Sequence, residues 1–191
     1  MAKNFNELFS KLRENGMKKV SVAVAQDEPV LEAVREAKEL GIAEAVLVGN
    51  EEKIKEIAKK IGMNLADFEI INEPNDKKAA LLAVELASTG KTDMVMKGLV
   101  DTATFLRSVL NKEVGLRTGQ LMSHVSVFEI PGMDRLLFLT DAAFNTYPEL
   151  KDKASMINNS VNSSTKYFAT SLWPCSSTAL LKIRNRKINA K

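Results

Sequence analysis

The sequence predicts an α/β fold: a three-layer α/β/α domain around an open, mainly parallel sheet. Short apolar runs rich in Val, Ile and Ala alternate with amphipathic stretches about a dozen residues long. The runs are apolar throughout, as strands are when helices cover both faces of a sheet. At 191 residues with 45% apolar side chains, the chain is long enough to bury a core of this kind.

The elements follow in order. Asn4 to Asn15 predicts a first helix, with Phe5, Leu8, Phe9 and Leu12 on one face and Gly16 as its stop. Val20 to Ala25 reads as a strand of small and β-branched residues. Asp27 then stands as a cap and Pro29 in the first turn of a helix that runs to Gly41. Ala45 to Val48 is the second strand and Glu51 to Ile61 an amphipathic helix stopped by Gly62. Phe68 to Ile71 is the third strand, Asn75 to Ala87 the next helix, and Met94 to Met96 the fourth strand. Asp101, Thr102 and Thr104 offer caps for a helix with Phe105, Leu106, Val109 and Leu110 on its apolar side. Asn111 to Gly119 reads as a polar loop. Val125 to Ile130 and Leu136 to Thr140 read as two strands of a hairpin turned by Pro131-Gly132-Met133-Asp134. That hairpin is expected to join the sheet and make it mixed. Glu149 to Asn159 reads as a further helix.

In open α/β sheets, ligands gather at the carboxyl ends of strands. Asp27, Gly49, Lys97 and Gly98 lie at such ends. A strand, then Lys97-Gly98, then hydroxyls at a helix start describes an anion site. Free N–H groups and the positive helix end favour phosphate, and Lys97 and Arg107 would add charge. The same residues read equally as a solvated lysine, a turn glycine and a helix cap. Neither G-x-G-x-x-G nor the Walker pattern occurs, so a dinucleotide site or P-loop has no motif behind it. His124, the only histidine, reads either as a hydrogen-bond donor to a substrate or as a structural side chain, and no carboxylate partner is identifiable for it. Asp141 has the same two readings, ligand or strand-end cap.

Composition narrows the class. One cysteine, Cys175, leaves no internal disulfide, and a single histidine argues against a zinc site. No run reaches the length of a membrane span, and the opening Met-Ala-Lys-Asn-Phe-Asn-Glu-Leu lacks the apolar core of a signal peptide, so a cytoplasmic location is expected. The net charge of +3 belongs to the end of the chain. From Ser163 to Lys191 there are six basic residues and no acidic one, which leaves 21 basic against 24 acidic groups, a net of −3, on the other 162 residues. The body therefore gives no electrostatic argument for nucleic acid.

Several long motifs carry a family resemblance. They are Ala-Gln-Asp-Glu-Pro-Val-Leu-Glu-Ala-Val (Ala25 to Val34), Met-Val-Met-Lys-Gly-Leu-Val (Met94 to Val100), Thr-Ala-Thr-Phe-Leu-Arg-Ser-Val-Leu-Asn-Lys (Thr102 to Lys112) and Asp-Ala-Ala-Phe-Asn-Thr-Tyr-Pro (Asp141 to Pro148). In these, from about Asn4 to Asn162, the chain resembles the phosphate acetyl/butyryltransferases, and within them the members that act on butanoyl groups. The resemblance implies transfer of a butanoyl group between CoA and inorganic phosphate in butanoate fermentation. It implies acyl-CoA and phosphate as substrates, no organic cofactor and no metal. It also implies a two-domain fold like that of isocitrate and isopropylmalate dehydrogenases, a homodimer, and a site in the interdomain cleft. By similarity Lys97, Gly98 and Thr102 would line the phosphate, Arg107 would bind substrate, and Ser123, His124, Asp141 and Asn145 would lie around the cleft. No residue is singled out as catalytic. Neither nucleic acid nor membrane is expected as a partner.

The resemblance stops after Asn162, where members of the family continue for roughly another hundred residues, enough for a second α/β domain. The expected organisation is therefore an amino-terminal α/β domain at 1–148, the start of a second domain at 149–162, and an aberrant basic tail at 163–191, expected to be disordered. A truncated or frame-shifted product fits that shift, and with it an inactive fragment that keeps only an anion-binding domain. A basic interaction tail is the remaining reading.

Overall fold

A computed structural model of the chain describes residues 3–14 and 16–163. The chain divides into two compact units, Leu12–Thr118 and Met1–Lys11 with Gly119–Lys191, and of the latter residues 3–11 and 119–163 are described. The division falls at residue 119, whereas the sequence reading placed a boundary at Pro148.

The larger unit holds a four-stranded sheet. Its strands are β1 (Lys18–Ala23), β2 (Ala43–Gly49), β3 (Glu69–Asn72) and β4 (Met94–Lys97), in the order β3-β2-β1-β4. Every pairing is parallel, with Val20 opposite Ala45 on one side and Met94 on the other. Between the strands run α2 (Glu28–Glu39), α3 (Glu51–Lys60) and α4 (Asp76–Ser88), and α5 (Thr102–Val109) follows β4. The first two crossovers step outward from β1 to β3. The third returns across the sheet and sets β4 on the free side of β1, so the winding reverses between β1 and β4.

The sequence explains the layering. In β1 and β2 the side chains alternate between two apolar cores. Val20, Val22, Ala45 and Leu47 meet Leu31, Val34, Ile54 and Ala58 from α2 and α3. Ala23, Val46 and Val48 meet Ala79, Ala80, Ala83 and Leu86 from α4, with Phe105 of α5 beside them. A strand that must be apolar on both faces reads as a continuous run, which is the pattern the sequence shows. A polar side chain of β1 also lies inside. Ser21 is fully buried, and its hydroxyl donates to the Ala83 carbonyl at 2.6 Å and receives Thr92 Oγ1 at 3.2 Å.

Caps set the helix starts. The Asn50 side chain accepts from Lys53 N, that of Asn75 from Lys77 N and Lys78 N, and that of Asp101 from Thr104 N. Asp27 holds the cap position of α2 but makes no side-chain cap bond. Phe68, expected in β3, instead closes a 3-10 turn at Leu65–Asp67 by donating to the Leu65 carbonyl, and the strand starts one residue later.

β1 begins and ends two residues earlier than expected. It ends at Ala23 because Val24 takes a left-handed conformation, φ 59°. Ala25 still donates to the Val48 carbonyl of β2, so the chain rejoins the sheet edge one residue on.

In the smaller unit, the amino end of α1 (Phe5–Glu14) is held by Glu129, whose carboxylate accepts from Phe5 N at 2.7 Å. β5 (Ser126–Phe128) and β6 (Leu137–Leu139) form an antiparallel hairpin, Val127 opposite Phe138, and α6 (Leu150–Ser163) follows. The hairpin was expected to make the main sheet mixed, and it does not. Among the described residues each strand pairs over three residues with its partner alone, as a sheet of its own in the other unit, and the four-stranded sheet is wholly parallel. The tail reading at 163–191 lies outside the described residues except for Ser163, the last residue of α6.

Candidate functional site

The carboxyl ends of β1 and β4 flank the point where the winding reverses, the place where open α/β sheets take ligands. There the chain is tied tightly. Gly98 N donates to the Ala23 carbonyl and Leu99 N to the Val24 carbonyl, each at 2.8 Å, and Val100 N donates to the Gly98 carbonyl at 2.9 Å. A Cβ on Gly98 would lie 2.3 Å from Val24 O and 2.6 Å from Ala23 O, so this position requires glycine for close backbone approach. Left-handed backbone at a β-branched residue such as Val24 costs about 1–3 kcal/mol. Its side chain is fully buried in the α4 core, a gain of about 1.5–3 kcal/mol that offsets the strain. Nothing in Ala-Val-Ala marks that position in the sequence.

Lys97, Gly98, Thr102 and Arg107 all lie on this β4–α5 segment. Lys97 is exposed, and its ammonium donates to the Val100 carbonyl at 2.7 Å and the Gly98 carbonyl at 3.3 Å. Thr102 opens α5 and is exposed; Arg107 is exposed in its last turn. The start of α5 already holds an anion of its own. The Asp101 carboxylate accepts from Thr104 N at 2.8 Å. Hydrogen bonds from the Thr104 side chain and backbone, followed by the charge of Arg107 and the Ala103 N–H, hold its carboxyl below the usual range against a smaller push from desolvation. The Lys97 ammonium and the N–H groups of Gly98, Leu99, Val100 and Thr104 thus already have partners within the chain.

Gln26, which sequence reasoning passed over, joins three elements at the same sheet edge. Its Oε1 accepts from Asn50 N at 3.1 Å and its Nε2 donates to Asp76 Oδ1 at 3.3 Å. It is 8% exposed, and a Cβ on Gly49 would lie 2.1 Å from its Oε1. The only sequence signal is its place, one residue before the α2 cap.

The other four candidates belong to the smaller unit. Asp141 Oδ1 accepts from Ala143 N at 2.8 Å and Phe144 N at 3.0 Å, and its Oδ2 accepts from Asn145 Nδ2 at 2.6 Å. Desolvation pushes its carboxyl up, but these bonds and the His124 backbone together outweigh it and hold the pKa at about 2. Asn145 Nδ2 also donates to the Met122 carbonyl at 3.1 Å. The His124 carbonyl receives Thr140 Oγ1 at 2.7 Å, its Nδ1 lies 3.4 Å from Ser126 Oγ, and its ring meets Phe144 edge-on at 6.0 Å. Ser123 Oγ accepts from Asn159 Nδ2 at 2.9 Å. These residues lock the 122–145 loops, with Asp141 as the hub. Asn159, on α6, is a partner that sequence reasoning did not find.

Among the described residues no group of three His, Cys, Asp or Glu side chains could hold a metal ion, and no helix is long and apolar enough to cross a membrane.

Comparison with known proteins places these elements. The phosphate acetyl/butaryl transferase family matches residues 4–82 and 74–171. The chain is 72% identical to the phosphate butyryltransferase of Clostridium acetobutylicum over 161 residues, which are 84% of this chain and 54% of that protein. It is 69% identical to the phosphate butyryltransferase of Clostridium beijerinckii over 161 residues, 84% of this chain and 53% of that one. The chain thus spans about half the length of the curated relatives it matches. Among solved structures, a phosphotransacetylase from Streptococcus pyogenes superposes with a TM-score of 0.71 at 22% identity, over 87% of this chain and 60% of that one. A branched-chain phosphotransacylase from Enterococcus faecalis gives 0.69 at 19% identity, over 91% of this chain and 65% of that one. At these identities the likeness shows the fold.

Proposed function

The chain belongs to the phosphate acetyl/butaryl transferase family, and from that premise we propose that it carries the phosphate-binding portion of a phosphate butyryltransferase. The reaction is butanoyl-CoA plus phosphate giving butanoyl phosphate plus CoA, in the cytoplasm and without an organic cofactor. A phosphate oxygen attacks the thioester carbonyl, the C–S bond breaks, and the proton of hydrogen phosphate ends on the CoA sulfur. The single observation behind butanoyl as the acyl group is the 72% identity to the Clostridium acetobutylicum enzyme.

In this reading Lys97 and Arg107 neutralise phosphate, Gly98 lets the backbone come close to it, and Thr102 adds a hydroxyl. Ser123, His124 and Asn145 contact substrate, and Asp141 positions Asn145. Direct transfer between two bound substrates depends on positioning, and the rigid loop around Gly98 favours that. A homodimer is part of the same reading.

A second reading has an observation of its own. The Lys97 ammonium and the Gly98, Leu99 and Val100 N–H groups already donate to backbone carbonyls. On that ground the chain is an inactive α/β portion that retains anion affinity. Phosphate-dependent thiol release from butanoyl-CoA, with this chain beside the full-length Clostridium acetobutylicum enzyme, separates the two. Release by the chain supports the transferase. No release from a folded chain that still binds phosphate supports the second reading.

A further inference from the structure

Gln26 is the one amide among the buried polar side chains of the described residues; the others are Ser and Thr. Burying an amide is costly unless both of its ends are paired. Here both are. Oε1 accepts from Asn50 N before α3, and Nε2 donates to Asp76 Oδ1 at the start of α4. Space is kept for it as well, since any Cβ at Gly49 would collide with Oε1 and stand 3.1 Å from Ala25 N.

Neither helix needs Gln26 as a cap. The Asn50 side chain accepts from Lys53 N, and that of Asn75 from Lys77 N and Lys78 N. The amide instead ties both helix starts to the turn that leaves β1. In that turn Val24 is left-handed and Asp27 makes no side-chain cap bond. Ala25 N donates to the Val48 carbonyl and Asp27 N to the Ala25 carbonyl. Without the amide, Val24 is free to relax toward the extended conformation that β-branched residues favour. That relaxation would rotate the Val24 carbonyl, which receives Leu99 N, beside the Ala23 carbonyl, which receives Gly98 N. We propose that Gln26 is a positioning residue for the Lys97–Gly98 segment: its doubly held amide keeps the Val24 carbonyl in place, and with it the backbone that carries Lys97. The placement of the loop needs no ligand. Its consequence for phosphate rests on the function proposed above.

Amide hydrogen exchange of the full chain, followed by NMR, tests the placement. Gln26→Met removes both bonds at similar volume. Asp76→Ala removes one of them at an exposed residue, so the test does not hang on the folding of Gln26→Met. Asp76→Asn keeps the acceptor and carries the same charge as Asp76→Ala, so the difference between those two reads the hydrogen bond. The Gly98 and Leu99 amides should exchange about tenfold faster or more in Gln26→Met and Asp76→Ala, and within about twofold of the parent rate in Asp76→Asn. Ser21→Ala, which weakens the core of β1 and α4, is the control. It should speed exchange at Val22 and Leu47 in the inner strands and leave Gly98 and Leu99 unmoved. Unchanged exchange at Gly98 and Leu99 in Asp76→Ala, or in a folded Gln26→Met, would overturn the proposal. An equal acceleration there by Ser21→Ala would overturn it too, because Gln26 would then only add to overall stability. Titration with inorganic phosphate reads the consequence: the Kd should be about fivefold or more higher in Asp76→Ala than in Asp76→Asn. Equal values would overturn the role of Gln26 toward the ligand. No phosphate binding by the parent chain would refute the phosphate reading of Lys97 itself, and the exchange rates would still decide the placement.

Discussion

Replacing Gly98 with alanine tests the geometry at the winding reversal. The added Cβ would stand 2.3 Å from Val24 O and 2.6 Å from Ala23 O, against an ordinary contact distance above 3.4 Å. Both oxygens are backbone, and both are held by N–H groups of the same loop, Gly98 N to Ala23 O and Leu99 N to Val24 O. No side chain can rotate away. The loop must retreat by about 1 Å, which breaks or stretches two hydrogen bonds worth about 1 kcal/mol each. Overpacking adds about 1–3 kcal/mol. The sum is roughly 3–5 kcal/mol, a large part of the 5–15 kcal/mol that holds a typical domain folded. A thermal melt followed by circular dichroism should show a midpoint lower by about 10 °C or more. Gly90→Ala is the control. Gly90 has φ +74° and nothing within 4 Å of its added Cβ, so it meets only the left-handed penalty of about 1–2 kcal/mol. A Gly98→Ala midpoint no lower than that of Gly90→Ala would refute the close approach of β4's loop to the end of β1.

Ser21→Ala should destabilise the chain by about 1–2 kcal/mol in urea titration, because Thr92 Oγ1 and the Ala83 carbonyl lose their buried partner. Asp141 is held at a pKa of about 2, below its unfolded value of about 3.9. Its contribution is therefore complete above about pH 4 and lost as the pH falls toward about 2, on the order of 1 kcal/mol after solvent screening. Asp141→Asn should flatten that part of the stability–pH curve measured by denaturant titration. In the full-length Clostridium acetobutylicum enzyme, Arg107→Ala at the matching position should raise the KM for phosphate by at least about tenfold, with a smaller change in that for butanoyl-CoA.

Much of the larger unit was legible because its signals are local. Val-Ser-Val-Ala and Ala-Val-Leu-Val announce strands apolar on both faces, and Asn50, Asn75 and Asp101 announce helix starts by a side chain three residues or fewer from the N–H it accepts. What was not legible is set by distance in the chain. Val24 is left-handed because its carbonyl meets Leu99 N, 75 residues later, and no pattern in its own neighbourhood encodes that. The hairpin could be read as a hairpin, but strands of three residues carry no mark of which sheet they join. Of the site, the residue types were legible and the directions of their side chains were not. Lys97 ends a strand and precedes a helix as an anion ligand should, yet its ammonium lies on the carbonyls of its own loop.

Under the proposed function, that placement bears on how phosphate would bind. Gly98, Leu99 and Val100 spend their N–H groups on carbonyls, and the Asp101 carboxylate takes Thr104 N at the helix start. A phosphate arriving there meets a carboxylate already seated, so the backbone cradle seen in glycine-rich loops is not its main attraction. What it can win is the exposed Lys97 ammonium, which exchanges neutral carbonyl partners for a dianion. A charge-assisted bond is about twice as strong as a neutral one, so the exchange is favourable without moving the backbone. On the proposed reading, binding would depend on side-chain charge at Lys97 and Arg107, and it should weaken with salt as the ions screen it. The backbone's part in that reading is rigidity: the close approach of Gly98 to Val24 holds the segment that anchors Lys97 and Arg107 in one place, so that only their long side chains would need to turn to the ligand.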